Sequence, residues 1–174
     1  LTEDELLGNL VLLFIAGLDT VMQGIGYGVR HLALDSALQD ELRANPALVP
    51  DATEELLRRY TFTVPPRRVN KDIVFQNVTM KKDDRAVLFL PGADLDPNEF
   101  PDAGRFDMRR EGKPHIAFNA GIHRCLGSHL ARLEARAAFR SLAVKMPNLA
   151  LQPGPTKRRE GTNFRGLETL HVSF

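Results

Sequence analysis

A mainly α fold with small β-sheets is what this chain's sequence predicts, on three observations. Residues 6–16 are apolar nearly all round and follow Thr2 and Glu5, which stand at capping-box spacing. Leu126, Leu130, Leu133 and Ala137 recur four, three and four residues apart, the stripe of a second long helix. Between the two, after Pro65-Pro66, the extended runs are short and separated by polar turns.

Composition narrows the class. A chain of 174 residues can build one ordinary domain with a sizeable core. The formal net charge of +1 points to neither nucleic acid nor a membrane surface. The balance is uneven along the chain: residues 1–57 carry ten acids and two bases, whereas residues 105–145 carry nine bases and three acids. One cysteine cannot form an internal disulfide, which fits a reducing, cytoplasmic compartment. The apolar run at 10–17 is too short to span a bilayer, and no secretory signal opens the chain. The chain starts at Leu1, inside what reads as a helix cap, and so reads as a piece of something longer. No internal repeat or low-complexity tract interrupts it.

Within the first helix stands Ala16-Gly17-Leu18-Asp19-Thr20, an acid and an alcohol side by side in an apolar context. A buried, unpaired carboxylate is costly, so Asp19 needs a partner or a function. In the plain structural alternative Thr20 bonds back to the preceding turn and Asp19 reaches solvent. A short helix then starts at Asp35 or Ser36 and stops before Pro46. A third runs from about Asp51 to Tyr60, with Asp51 and Glu54 at capping-box spacing and Glu55 and Arg58 on one face. β-like runs follow at 69, 73–75, 78–80 and 86–90, with Arg67 and Arg68 at the first. Residues 91–114 read as a long ordered loop, and 149–174 as turns and short strands.

The chemistry concentrates in Phe118-Asn119-Ala120-Gly121-Ile122-His123-Arg124-Cys125-Leu126-Gly127. A cysteine at the mouth of a helix sits where unpaired N–H groups and the helix dipole favour an anion, and the thiolate is the metal-binding form. Gly121 and Gly127 suit a tight loop pressed close to a bulky ligand, and Phe118 suits a flat one. By itself a free cysteine is more often a small buried hydrophobe.

The pattern F-x-x-G-x-x-x-C-x-G over 118–127 resembles the cysteine loop of the cytochrome P-450 family of haem-thiolate monooxygenases. A-G-x-D-T at 16–20 resembles the oxygen-binding kink of that family's long central helix, and E-x-x-R at 55–58 its structural lock, in the family's order. The runs L-x-x-F-I-A-G-L-D-T-V, E-E-L-L-R-R and L-G-S-H-L-A-R-L-E look like the soluble bacterial camphor-hydroxylase-like members. The resemblance covers essentially the whole chain. It implies a cytochrome P-450 fold seen as its C-terminal portion, with residues 1–174 the C-terminal half of one catalytic domain and the N-terminal half absent.

Roles follow from the resemblance residue by residue. Cys125 becomes the axial ligand of haem b (heme b, iron protoporphyrin IX), and Phe118 and His123 become loop contacts to the cofactor, His123 as a propionate donor. Arg67 aligns best with the arginine that binds a haem propionate, with Arg68 still open, and Arg105 best matches the arginine completing the E-x-x-R lock. Asp19 and Thr20 become the catalytic pair that delivers protons to iron-bound dioxygen. Asp94-Leu95 departs from the asparagine-arginine pair many relatives have before Asp-Pro. The expected reaction hydroxylates a small hydrophobic, terpenoid-like substrate, with Leu12, Ile15, Ala16, Thr63 and Val64 lining part of its pocket. Electrons would come from a ferredoxin-type partner docked on a basic face of Arg109, Arg110, Lys113, Arg124, His129, Arg132, Arg136 and Arg140. Three other readings stay open: a peroxygenase-like enzyme, a non-catalytic haem sensor, and a haem-free helical interaction domain.

Overall fold

The fold is described by a computed structural model for residues 1–111, 114–154, 156–159 and 164–174. Glu3–Leu32 is a single 30-residue helix, α1, capped as the sequence predicts. The Thr2 hydroxyl accepts from the Glu5 N–H at 3.2 Å, and the Glu5 carboxylate accepts from the Thr2 N–H at 2.8 Å. One expectation is corrected here. The apolar stretch is not limited to 10–17: by length and composition α1 is long and apolar enough to cross a membrane, with a mean hydropathy of 1.7 over 18 residues. The last third of α1 is nonetheless sunk in protein, with Gln23, Gly28 and Leu32 buried. Gly28 is demanded by this packing, because a Cβ there would lie 2.2 Å from the Phe139 ring. Residues 1–18, by contrast, are exposed throughout.

Ser36–Ala44 forms α2, with the Asp35 carboxylate accepting from the Leu38 N–H, so Asp35 rather than Ser36 is the cap. Val49–Arg59 forms α3, two residues longer at its start than expected. Asp51 lies inside the first turn and caps nothing; the entry is set instead by a 3-10 turn at Pro46–Leu48 that Asn45 caps. The sequence pattern misled because a capping box and a first-turn acid look alike without the backbone.

Among the described residues there are four sheets, all two-stranded and antiparallel. β1 (Pro66–Arg68) pairs with β4 (Arg85–Val87), and β2 (Ile73–Phe75) with β3 (Val78–Met80). Val69 falls just outside β1 yet continues its ladder, its N–H donating to Asp84 O at 2.9 Å. The run expected at 86–90 ends at Val87, and Leu90–Ala93 turns into a short helix, α4. Ser128–Lys145 forms α5, ended at Met146 just before Pro147. β5 (Ala150–Leu151) pairs with β8 (Val172–Ser173), and β6 (Lys157–Arg159) with β7 (Gly166–Thr169).

One core joins α1, α2, α3 and α5 through Leu32, Leu38, Leu42, Leu56, Phe139 and Ala143, with Met108 and Leu149 closing it. Buried Gln39 ties two layers, its amide donating to Leu32 O at 2.7 Å and Leu149 O at 2.8 Å. The accessible surface is 11632 Å². A compact monomer of this mass exposes about 8,500 Å². Large apolar side chains stand open on this chain's surface: Leu10, Phe14 and Leu18 of α1, Ile122, Leu126, Leu130 and Leu133 around α5, and Phe75 of β2.

Candidate cofactor-binding site

The 118–127 segment is a tight loop leading into α5. The Cys125 N–H donates to Phe118 O at 2.8 Å, closing the loop on itself. Asn119 and Gly121 turn it with φ of 62° and 64°, and Gly121–His123 makes one 3-10 turn. Asn119 tolerates the left-handed region because its Oδ1 accepts from the Ala120 N–H at 2.9 Å. Cys125 is a free, exposed thiol. Nothing lies within 4 Å of a Cβ built on Gly121 or Gly127, so the backbone on either side of it stands clear. Beside the thiol, Ile122 is 97% and Leu126 86% exposed. The stripe Leu126, Leu130, Leu133 therefore faces away from the core, which α5 meets through Ala135, Phe139 and Ala143.

The segment before the loop is held by the E-x-x-R lock, and the lock is buried. Arg58 and Glu55 form a two-pronged pair at 2.7 Å for each prong, with side chains 2% and 5% exposed. Arg58 also donates to Asp94 O at 2.6 Å and Ala103 O at 3.0 Å, so its charge organises the turns between α4 and the loop. The arginine completing the lock corrects the sequence reading. Arg105 points out to Asp107 and contributes only its carbonyl, whereas Arg110 brings its guanidinium to 3.5 Å from Glu55. Arg110 also binds the carbonyls of Pro101, Asp102 and Arg105. Asp94, where the sequence departs from the common pattern, is 1% exposed and accepts from the Thr61 hydroxyl and the Ile116 N–H. Burial pushes its carboxyl up, against these two bonds. No local signal marked Asp94 as a core residue; Asp-Leu in a loop reads as a solvated turn.

A second carboxylate network lies on the neighbouring face. Glu54 accepts from Arg132 Nε at 2.8 Å and 3.0 Å, from Arg136 at 3.2 Å and from His115 at 3.1 Å. Burial pushes the Glu54 carboxyl up, but hydrogen bonds from His115 and Arg132 and the charge of the guanidinium outweigh it and hold it at about 2. The Arg132 guanidinium also lies over the Phe118 ring, 4.5 Å from its centre. This overturns part of the expected basic docking face. Arg132 and Arg136 are committed to Glu54, Arg109 pairs with Glu41, and Arg110 serves the lock. Arg109 stays exposed despite its pair, Arg124, His129 and Arg140 are exposed too, and Lys113 lies outside the described residues.

On α1 the helical bonding continues unbroken through 16–20. The Thr20 hydroxyl donates to Ala16 O at 2.7 Å, the back-bond of the plain structural alternative. Asp19 and Thr20 are half-buried, and Asp19 is engaged by a partner of its own. Leu12 and Ile15 are 63% and 59% exposed and present an open apolar wall. Of the other expected pocket residues, Val64 is buried and Thr63 reaches Ala117 O at 3.4 Å, so neither contributes a free group. At β1 the two arginines face apart. Arg67 is half-buried and donates to Pro66 O, whereas Arg68 is 80% exposed beside Asp83. His123 is exposed rather than packed into the loop.

The residues present fit the haem that the sequence suggests. Among the described residues no group of three or more His, Cys, Asp or Glu could hold a bare ion, and the cysteine stands by itself. A thiolate ringed by open glycine backbone and apolar side chains suits a metal that carries its other ligands in a flat macrocycle.

Comparison with known proteins follows the same lines. The family model for cytochrome P450 matches residues 45–143. A biotin-biosynthesis cytochrome P450 of Bacillus subtilis is 39% identical over 100% of this chain and 44% of its own length. The mycinamicin VIII C21 methyl hydroxylase of Micromonospora griseorubida is 34% identical over 100% of this chain and 46% of its length. Among solved structures, the bacillaene polyketide synthase cytochrome P450 of Bacillus subtilis superposes with a TM-score of 0.93 at 34% identity, covering 99% of this chain and 46% of that one. A cytochrome P450 of Bacillus megaterium solved with corticosterone superposes at 0.89 and 32% identity, covering 99% and 47%. The chain thus spans less than half the length of these relatives.

Proposed function

The chain belongs to the cytochrome P450 family, and from that premise we propose that it is the C-terminal half of one haem-thiolate monooxygenase domain, acting on a small hydrophobic, terpenoid-like substrate. Its electrons come from a ferredoxin-type partner, and it works in the cytoplasm. The observation that carries the reading is the exposed Cys125 thiol in a loop closed by its own N–H on Phe118 O. The surface excess supports the half-domain: residues 1–18 and the Leu126, Leu130, Leu133 stripe are apolar walls that need a cover.

Bound haem supplies the reductive activation of dioxygen, one oxygen atom entering a C–H bond of the substrate and the other leaving as water. The chain's residues divide the remaining work. Cys125 holds the iron as a thiolate, and Phe118 and His123 contact the cofactor from the same loop. Half-buried Arg67, rather than exposed Arg68, binds a haem propionate. The Thr20 hydrogen is donated to Ala16 O, which leaves the hydroxyl oxygen able to accept from a water, and Asp19 moves the proton. The wall of Leu12, Ile15 and Ala16 favours an apolar substrate face. Relatives named for a methyl hydroxylation and solved with a steroid support an apolar C–H target. Arg124, exposed next to the ligand, with His129, Arg140 and the exposed Arg109, forms what is left of the docking face.

In the complete protein, the reduced carbon monoxide spectrum should be of thiolate type and should vanish in Cys125→Ser. Thr20→Ala should keep haem and substrate binding while diverting reducing equivalents to peroxide or water. Unchanged product per reductant would remove the proton-relay role of Thr20, and absence of haem from the wild type would favour the interaction domain.

A further inference from the structure

The Cys125 loop is tethered at both ends to one side chain that belongs to neither end. His115 stands three residues before Phe118, and its Nδ1 accepts from the Ala117 N–H at 3.2 Å. With Nδ1 an acceptor, Nε2 carries the proton and donates to Glu54 Oε2 at 3.1 Å, a tautomer assigned from this network. Seven residues after Cys125, Arg132 donates to both Glu54 oxygens, and Arg136 one turn further adds a third guanidinium contact. The Arg132 guanidinium lies over the ring of Phe118, the residue whose carbonyl holds the Cys125 N–H. The His115 ring flanks Phe118 at 6.2 Å. Glu54 itself is fixed on α3, beside Glu55 and Arg58 of the buried lock.

We propose that Glu54 is a positioning residue for the thiolate loop: one carboxylate on α3 clamps its entry through His115 and its exit helix through Arg132, and Arg132 in turn seats Phe118 behind Cys125. The inference rests on the haem reading above and deepens it. It also gives Arg132 a task other than docking. Contacts of this kind set ligand geometry as much as the ligand does, because a sulfur carried on a mobile loop samples positions that do not bond the metal. A lysine cannot replace Arg132, since its single ammonium cannot both meet the carboxylate, as Arg132 Nε does, and lie over the Phe118 ring as the rest of the guanidinium does.

The test uses the complete haem-loaded protein and two readouts other than turnover: the fraction of thiolate-type signature in the reduced carbon monoxide spectrum, and the rate of haem loss to an excess of a haem-accepting protein. Glu54→Gln should speed haem loss about tenfold and convert part of the thiolate signature. Arg132→Lys, which keeps the charge, should do the same with little change in melting temperature. The double variant should be no worse than the worse single one, because both break the same link. Wild-type spectra and haem-loss rates in both single variants, even with a lowered melting temperature, would reduce the clamp to a fold contact and overturn the proposal. If Glu54→Gln gives no soluble protein, Glu54→Asp and Arg132→Lys decide on the same readouts. A wild-type protein that takes up no haem would instead sink the haem reading itself, and this inference with it.

Discussion

Neutralising Glu55 should be among the most damaging conservative substitutions in this chain. Glu55→Gln keeps the shape of the side chain and removes its charge, leaving Arg58, 2% exposed, and Arg110, 14% exposed, facing each other without a counter-ion. Losing one partner of a buried pair costs ~3–5 kcal/mol, because the remaining charge stays desolvated. Arg58 retains the Asp94 and Ala103 carbonyls, which favours the lower end of that range. In the complete protein, where relatives are more than twice this chain's length, each kcal/mol lowers the melting temperature by about 1–1.5 °C, so the loss should be roughly 4 °C. The two arginines rank clearly behind it. Arg110→Ala removes one ionic contact and three carbonyl bonds, for ~1.5–3 kcal/mol. Arg105→Ala removes an exposed pair with Asp107, worth under ~1 kcal/mol. Thermal melts of the three variants in the complete protein, followed by far-ultraviolet circular dichroism at one scan rate, test the order. An Arg105→Ala loss equal to or larger than the Arg110→Ala loss would refute the assignment of Arg110 to the lock.

Three further outcomes are expected. Gly28→Ala should overpack α1 against α5 by ~1–3 kcal/mol, and Phe139→Leu combined with it should recover part of that loss in the same melts. Glu54, held at about 2 when folded against 4.5 for the free group, adds stability that is full above about pH 4.5 and disappears as pH falls through about 2. At 35% exposure solvent screening reduces this to ~1–2 kcal/mol, so Glu54→Gln should flatten the acid limb of stability against pH by that amount, with raised Asp94 pulling the opposite way. Arg124→Glu should slow electron transfer from an acidic ferredoxin at low salt and weaken its salt dependence, measured by stopped-flow reduction; an unchanged rate removes the docking face.

The sequence by itself determined what depends on near neighbours along the chain. The capped start of α1, the Glu55–Arg58 pair, the Cys125 loop and the stop at Met146 are all patterns within about ten residues, and each is found where its spacing put it. Periods of three and four residues and the special backbone of Asn and Gly carry that information locally. The tertiary structure alone decided which distant groups those residues meet. Arg110 displaced Arg105 as the third member of the lock, and Arg132 left the docking face for Glu54, 78 residues away. Asp94 turned out to be buried, and the Leu126, Leu130, Leu133 stripe turned outward. Nothing in one-dimensional spacing distinguishes a solvated arginine from one folded over a carboxylate. That choice is made by desolvation, which charges a buried guanidinium for every unmet donor and so selects its partner only once the helices have packed.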